Sequence, residues 1–172
     1  ENLLSIAKKT ADEENLSINF IHSDIRKFNT TDKYSLILNL FTSFGYFETD
    51  EENFTIIQKA YDLLVGDGYF ILDFFNSLYL QQNLIEFSEE NIRGSEIHQY
   101  RKIKDKRVTK KIVITKDGNL STYEESVRMF TKDELVSAIT KIGFEIYKTF
   151  GDFLGNEFDN LKSPRFILVC KK

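Results

Sequence analysis

The stretch "INFIHSDIRKF", residues 18–28, sets Asp24 and Ile25 directly behind an apolar run of strand type. A carboxylate followed by an apolar residue suits an adenine ring. The carboxylate accepts from the exocyclic amine, the next backbone N–H donates to a ring nitrogen, and the apolar side chain packs on the ring face. The plain alternative is that Asp24 opens a turn, as aspartate commonly does. Two more segments place polar groups after apolar runs: Asn39 with Leu40, Phe41 and "TSFGY", and Asp73 with Phe74, Phe75 and Asn76. Four side chains are candidates to meet an acceptor: Tyr46, Asn76, His98 and Arg128. Three of them have an ordinary role beside this one. Tyr46 can pack in a core or lid, His98 can be a partly exposed strand residue, and Arg128 can pair with Glu124 or Glu125. No metal-ligand set stands out, because His22 and His98 are far apart and the lone Cys170 sits in a strand pattern. No nucleophile arrangement or phosphate loop is visible either.

The elements that must position these residues follow from periodicity. Leu3, Leu4, Ala7 and Ala11 predict one helical stripe over residues 1–14. Residues 18–23 read as a strand. "YSLILNLF", 34–41, and "YFILDFF", 69–75, read as strands buried on both faces, as in a parallel sheet. Between them, Thr49 and Glu52 form a capping box, with Phe54, Ile57, Tyr61 and Leu64 as the apolar face and Gly66 as the stop. Residues 95–130 alternate apolar and charged residues around an Asp117-Gly118 turn, which predicts an antiparallel meander. A second capping box at Thr131 and Glu134 starts a helix with Leu135, Ile139 and Ile142 on its stripe and Gly143 at its end. "FEIYKTF" and "RFILVCKK" are closing strands around a surface loop. Strands joined by helices make an α/β sheet, whose ligands bind beyond the carboxyl ends of the strands.

These pieces, in this order, resemble the class I S-adenosylmethionine-dependent methyltransferases, most of all the small bacterial and archaeal type with a β-meander after the fifth strand. "ENLLSIAKKTA" resembles the helix after the second strand. "INFIHSDIRKF" is similar to the adenine-contacting motif, and "DKYSLILNLFTSFGYF" to the fourth strand and the segment lining the cofactor. "AYDLLVGDGYFILDFFN" is similar to the "L-x-P-GG" helix, turn and fifth strand, with Val65 in place of the proline and Asp67 in place of the first glycine. "YEESVRMFTKDELVSAITKIGF" and "SPRFILVCKK" resemble the approach to the last two strands and the final strand. The resemblance implies a Rossmann-like sheet, mostly parallel with an antiparallel last strand, lacking its first two strands and carrying the meander as an insertion. It implies S-adenosyl-L-methionine as cofactor, with Asp24 and Ile25 at the adenine and Asn39, Leu40 and Phe41 near its methionine and adenine parts. The family's glycine-rich loop and ribose-binding acidic residue have no counterpart here. The expectation is therefore a single incomplete domain over residues 1–172, with 95–130 as a substrate lid. Methyl transfer from a sulfonium is an in-line displacement that needs a base only if the acceptor must lose a proton, so no catalytic residue is assigned.

Bulk properties narrow the partners. The 172 residues hold 41% hydrophobic and 14% aromatic residues, enough for one real core. A net charge of −4 gives no global attraction to nucleic acid or anionic membrane. No apolar run is long enough to span a bilayer, and one cysteine suits a reducing, cytoplasmic compartment. The expected partner is a small-molecule acceptor rather than nucleic acid or membrane, and a homodimer is compatible with this. Two rival readings are an inactive methyltransferase-like partner subunit and an RNA-binding module built on the basic 101–111 hairpin, which holds Arg101, Lys102, Lys104, Lys106, Arg107, Lys110 and Lys111.

Overall fold

The computed structural model describes residues 2–172, which fall into two compact units, one reaching to residue 31 and the other spanning 32–172. The first unit opens with α1, Asn2–Glu13, on which Ala11 is buried while Leu3 and Ile6 stay exposed. Residue 1 of the expected helix lies outside the described residues. The strand expected over 18–23 does not form. This segment makes no ladder pairing among the described residues, and Ile18 and Ile21 remain 53% and 52% exposed. Apolar β-branched residues favour extended backbone, but only a paired neighbour turns that into a strand. The segment ends in a turn where the N–H groups of Lys27 and Phe28 donate to the Asp24 carbonyl at 2.9 and 3.0 Å.

The second unit holds two sheets. In the first, β1 (Tyr34–Asn39) pairs in parallel with β2 (Leu64–Phe75), and β2 pairs antiparallel with β8 (Arg165–Lys171). On the far side of β8 lies β7 (Glu145–Phe150), again antiparallel to it. The order is β1-β2-β8-β7, so only the last strand runs against the others, as expected. The pleat of β2 and β8 sends Phe70, Leu72 and Phe74 with Cys170, Leu168 and Phe166 to one face, where all six are buried. This face packs with α2 (Asp50–Leu63) and α4 (Lys132–Ile142) through Ile57, Ala60, Leu135 and Ile139. Phe44 and Phe130 plug the same core, with ring centroids 5.3 Å apart. Burying each such side chain is worth about 1.5–3 kcal/mol.

Both capping boxes form. Thr49 and Thr131 each accept from the N–H three residues on, and Glu52 and Glu134 each return to the cap's own N–H. Gly143 ends α4 at φ 120. Gly66 does not end α2. That helix stops at Leu63, its cap Leu64 is extended at φ −75 and ψ 145, and the chain runs straight into β2. The left-handed residue here is Asp67, φ 62, inside a bulge that takes the pairing from Tyr34↔Leu64 to Leu36↔Tyr69. Nor is β1 buried on both faces. It is an edge strand among the described residues, and Leu36 and Leu38 are about half exposed.

The second sheet has four strands in sequence order: β3 (Phe87–Ile92), β4 (Ser95–Lys104), β5 (Arg107–Lys116) and β6 (Asn119–Arg128). The meander thus begins at residue 87 rather than 95. All three hairpins use two-residue loops with both φ angles positive: Arg93-Gly94, Asp105-Lys106 and Asp117-Gly118. That geometry matches the twist of paired strands. A short α3 (Ser77–Gln82), capped by Asn76, connects the sheets. No helix among the described residues is long and apolar enough to cross a membrane.

Candidate functional site

The ends of β1 and β2 meet in a small, tightly bonded assembly. Asn39 closes β1, and its side-chain oxygen is buried without a hydrogen-bond partner among the described residues. The chain then turns through Phe41 and Thr42 with φ angles of 54 and 59. Two consecutive left-handed residues that are not glycine cost about 1–3 kcal/mol each, so the surroundings must impose them. Asp73, fully buried on β2, does so. Its Oδ2 accepts the Phe41 N–H at 2.7 Å and its carbonyl accepts the Thr42 N–H at 3.2 Å. Arg165, opening β8, neutralises the carboxylate: Nε and Nη2 lie 2.7 and 2.6 Å from Asp73 Oδ1, and Nη2 also donates to Thr42 Oγ1 at 3.0 Å. The β2–β8 register places Phe75 opposite Arg165, which brings the guanidinium back over Asp73.

Outside this charge pair stand two exposed rings. Phe41 is 75% and Phe153 62% exposed, their centroids are 5.8 Å apart, and the planes meet at 51°. Arg165 lies 5.7 Å from the Phe153 ring centre. The loop carrying Phe153 is bonded to itself. Asp152 accepts from Leu154 N–H and from the Asn156 side chain, at 2.9 and 2.7 Å, and these bonds, the Asn156 side chain first, hold its carboxyl below the usual range. Gly151 lets the loop close on Ser163: a Cβ there would stand 2.8 Å from the Ser163 Cβ.

The other expected residues fall in separate places. In the first unit, Asp24 is gripped by its neighbour Arg26, whose Nη2 is 2.8 Å from Oδ2 and whose backbone N–H is 2.9 Å from Oδ1. The Arg26 side chain, then its backbone N–H, bring the Asp24 carboxyl down to about 2. Ile25 is 45% exposed. In the second unit, Asn39, Leu40 and Phe41 come together with the end of β2. Leu40 spends its carbonyl on the N–H and hydroxyl of Ser43. Asn76 borders an open cleft of about 470 Å³ that also touches Leu78, Gln81 and Lys132. Its amide is engaged: Nδ2 donates to the Asn160 and Ser163 carbonyls, both at 2.9 Å, and Oδ1 caps Leu78.

Tyr46 and Arg128 are neighbours through Gly45, whose carbonyl accepts the Arg128 N–H at 2.8 Å. Burial, then Glu125, raise the Tyr46 phenol. The Arg128 side chain is 10% exposed and pairs with Asp50 and Glu134, at 3.1 and 2.9 Å, rather than with Glu124 or Glu125. The reason is strand geometry: Glu124 lies four residues back on β6, roughly 13 Å away, and Glu125 points to the opposite face. Burial works against the Arg128 charge, and the two carboxylates more than reverse it. His98 is apart from all of these, on β4, with Nε2 3.2 Å from Glu96 and its ring 5.8 Å from Phe87. The basic hairpin sets part of its charge beside carboxylates. Lys110 and Lys111 stand opposite Glu125 and Glu124, and Arg107 donates to Ser126 and to the Phe47 carbonyl.

Sequence reasoning did not select Asp73, Arg165 or Phe153 as site residues. A signal existed for Asp73, a lone carboxylate inside the apolar run "YFILDFF", which demands a buried cation. Nothing local pointed to Arg165 as that cation.

No protein-family model matches the chain, and no curated protein matches it significantly. Solved structures do. A S-adenosylmethionine-dependent methyltransferase from Clostridium acetobutylicum superposes with a TM-score of 0.87 at 16% identity, over 99% of this chain and 71% of its own. The CcbJ methyltransferase from Streptomyces caelestis gives 0.74 at 17%, over 86% and 61%. CalS10 from Micromonospora echinaspora, an amino pentose methyltransferase, gives 0.60 at 16%, over 87% and 62%. The chain therefore spans about three fifths to seven tenths of the length of these proteins. The likeness establishes the fold, the Rossmann-like fold of class I methyltransferases that the sequence motifs resemble.

Proposed function

We propose that the protein transfers a methyl group from S-adenosylmethionine to a small-molecule acceptor by in-line displacement. The observation that carries this reading is the end of β1. There Asn39 holds a buried acceptor oxygen without a partner, beside a strained turn clamped by Asp73 and Arg165. Such a turn lies where open α/β sheets bind ligands. The donor set also fits the cofactor, which carries amines and a positive sulfur and so needs acceptors. Asn39 Oδ1 is one.

In this reading Asp24 accepts from the adenine amine and Ile25 covers the ring. By the same resemblance, Asn39, Leu40 and Phe41 are assigned to the cofactor's methionine and adenine parts. When bound, S-adenosylmethionine supplies a methyl group already activated by the positive charge on sulfur. The chain's own residues bind, orient and exclude water, which is where the rate of such a displacement arises. Arg128 and Asn76, with their polar groups spent on the protein, hold loops in place rather than gripping the acceptor directly. The second sheet serves as the lid, tied to the segment after β1 by Arg128 at Gly45 and by Arg107 at Phe47. A small acceptor is supported by the glutamates that stand opposite Lys110 and Lys111 in that sheet and by the amino pentose methyltransferase among the similar structures.

The test is isothermal titration of S-adenosylhomocysteine into the protein, beside an Asp24→Ala variant. Micromolar binding that weakens at least tenfold in the variant, about 1.4 kcal/mol, supports both the cofactor and the adenine assignment. Absence of binding to the unsubstituted protein would leave the fold alone and favour the partner-subunit reading.

A further inference from the structure

Single exposed apolar residues are ordinary on a protein surface. Phe41 and Phe153 are different. They come from segments more than a hundred residues apart, yet their rings touch, and one buried ion pair holds both. The Asp73 carboxylate fixes the Phe41 N–H, and Arg165, salt-bridged to the same carboxylate, lies against the Phe153 ring. Phe41 is moreover forced into left-handed backbone, an outlier for a bulky residue, and the outcome is to hold its ring outward in water. Strain that exposes an aromatic ring at the carboxyl edge of a sheet points to a ligand.

We propose that Phe41 and Phe153 form a two-ring wall that receives the flat apolar ring face of the methyl acceptor, with Asp73 and Arg165 as the positioning residues that hold it. The proposal deepens the methyl-transfer reading and rests on it. The acceptor is favoured over the cofactor by topology. Phe153 belongs to the β7–β8 connection, which lies across β2 from β1, whereas Asn39, Leu40 and Phe41 follow β1, so the Phe41 ring borders both the cofactor side and the acceptor side. The open angle of 51° between the rings lets one stack on a ring face while the other meets its edge. Aromatic rings and the C–H faces of pyranoses share this flat apolar chemistry.

The chain contains no tryptophan, so Phe153→Trp introduces a fluorophore within the wall. The protein, saturated with S-adenosylhomocysteine, is titrated with phenyl β-D-glucopyranoside and with methyl β-D-glucopyranoside. A saturable emission shift with either probe, weakened at least tenfold by Phe41→Ala, supports the wall. A response to the phenyl compound alone assigns an aromatic ring, and a response to both assigns a sugar face. Adding Arg165→Met should remove the response while circular dichroism stays native, and Arg165→Lys should restore part of it. No shift with either probe up to tens of millimolar, while S-adenosylhomocysteine binds normally, overturns the wall and leaves methyl transfer standing. If S-adenosylhomocysteine fails to bind the unsubstituted protein, the methyl-transfer reading falls and the acceptor assignment falls with it.

Discussion

Replacing Arg165 by Met tests whether the ion pair at the end of β2 is the clamp described above. The Asp73 side chain is 0% exposed and the Arg165 side chain 21%. Removing the guanidinium leaves a buried carboxylate whose one remaining side-chain bond is the Phe41 N–H at 2.7 Å. Breaking a buried pair in this way costs about 3–5 kcal/mol, and the partial exposure of Arg165 argues for the lower end, about 3 kcal/mol. For a chain of this size that lowers the melting midpoint by roughly 6–12 °C. Urea unfolding should show the loss as a lower midpoint with an unchanged slope. Adding Asp73→Leu should recover most of the stability, because the stranded charge is gone. It should still fall about 1 kcal/mol short, because the Phe41 N–H loses its acceptor. The double variant should also bind S-adenosylhomocysteine more weakly than its restored stability suggests, since the turn after β1 has lost its clamp. A loss under about 1 kcal/mol for Arg165→Met alone would refute the reasoning, for it would mean that the carboxylate needs no counter-charge.

Gly143→Ala should cost about 2 kcal/mol in thermal melts, because φ is 120 and the new Cβ would lie 2.9 Å from the Tyr61 hydroxyl. Burial pushes the Glu134 carboxyl up, but the Thr131 N–H and the Arg128 guanidinium more than reverse this and leave it below 4.5. Glu134 therefore contributes stability above about pH 4.5 that is lost as pH falls through its folded value. Arg128→Met should flatten that acid limb, as read from melting midpoints between pH 6 and pH 3, and an unchanged limb would show that Thr131 alone sustains the shift. Changing Lys110 and Lys111 to Ser should leave the salt dependence of any RNA binding unaltered, because each lysine already faces a glutamate; a slope that drops by about one or more on the double change would revive the nucleic-acid reading.

How far the sequence discloses this molecule follows the range of each interaction. Thr49 with Glu52 and Thr131 with Glu134 are legible because a capping box closes within one helical turn. Asp117-Gly118 is legible because a two-residue hairpin demands positive φ at both positions. Arg93-Gly94 makes the same turn, but the strand before it, "FSEENI", is too polar to announce itself, and β3 is missed. Residues 18–23 fail in the opposite sense: their composition is that of a strand, but pairing is not a local property. Gly66 fails because two conformations compete nearby, and the left-handed one is needed at Asp67 in the bulge, not at the helix end. The candidate site is the least legible part. Asn39, Leu40 and Phe41 are marked by a strand exit, whereas the salt bridge that shapes them joins residues 73 and 165. Arg128 carries the same lesson, since its partner Asp50 lies on α2 while the nearer Glu124 is out of reach on its own strand. A buried charge in an apolar run states that a partner must exist and leaves its position to the fold. Asp73 was therefore the one residue from which the clamp could have been anticipated, though not the arginine that completes it.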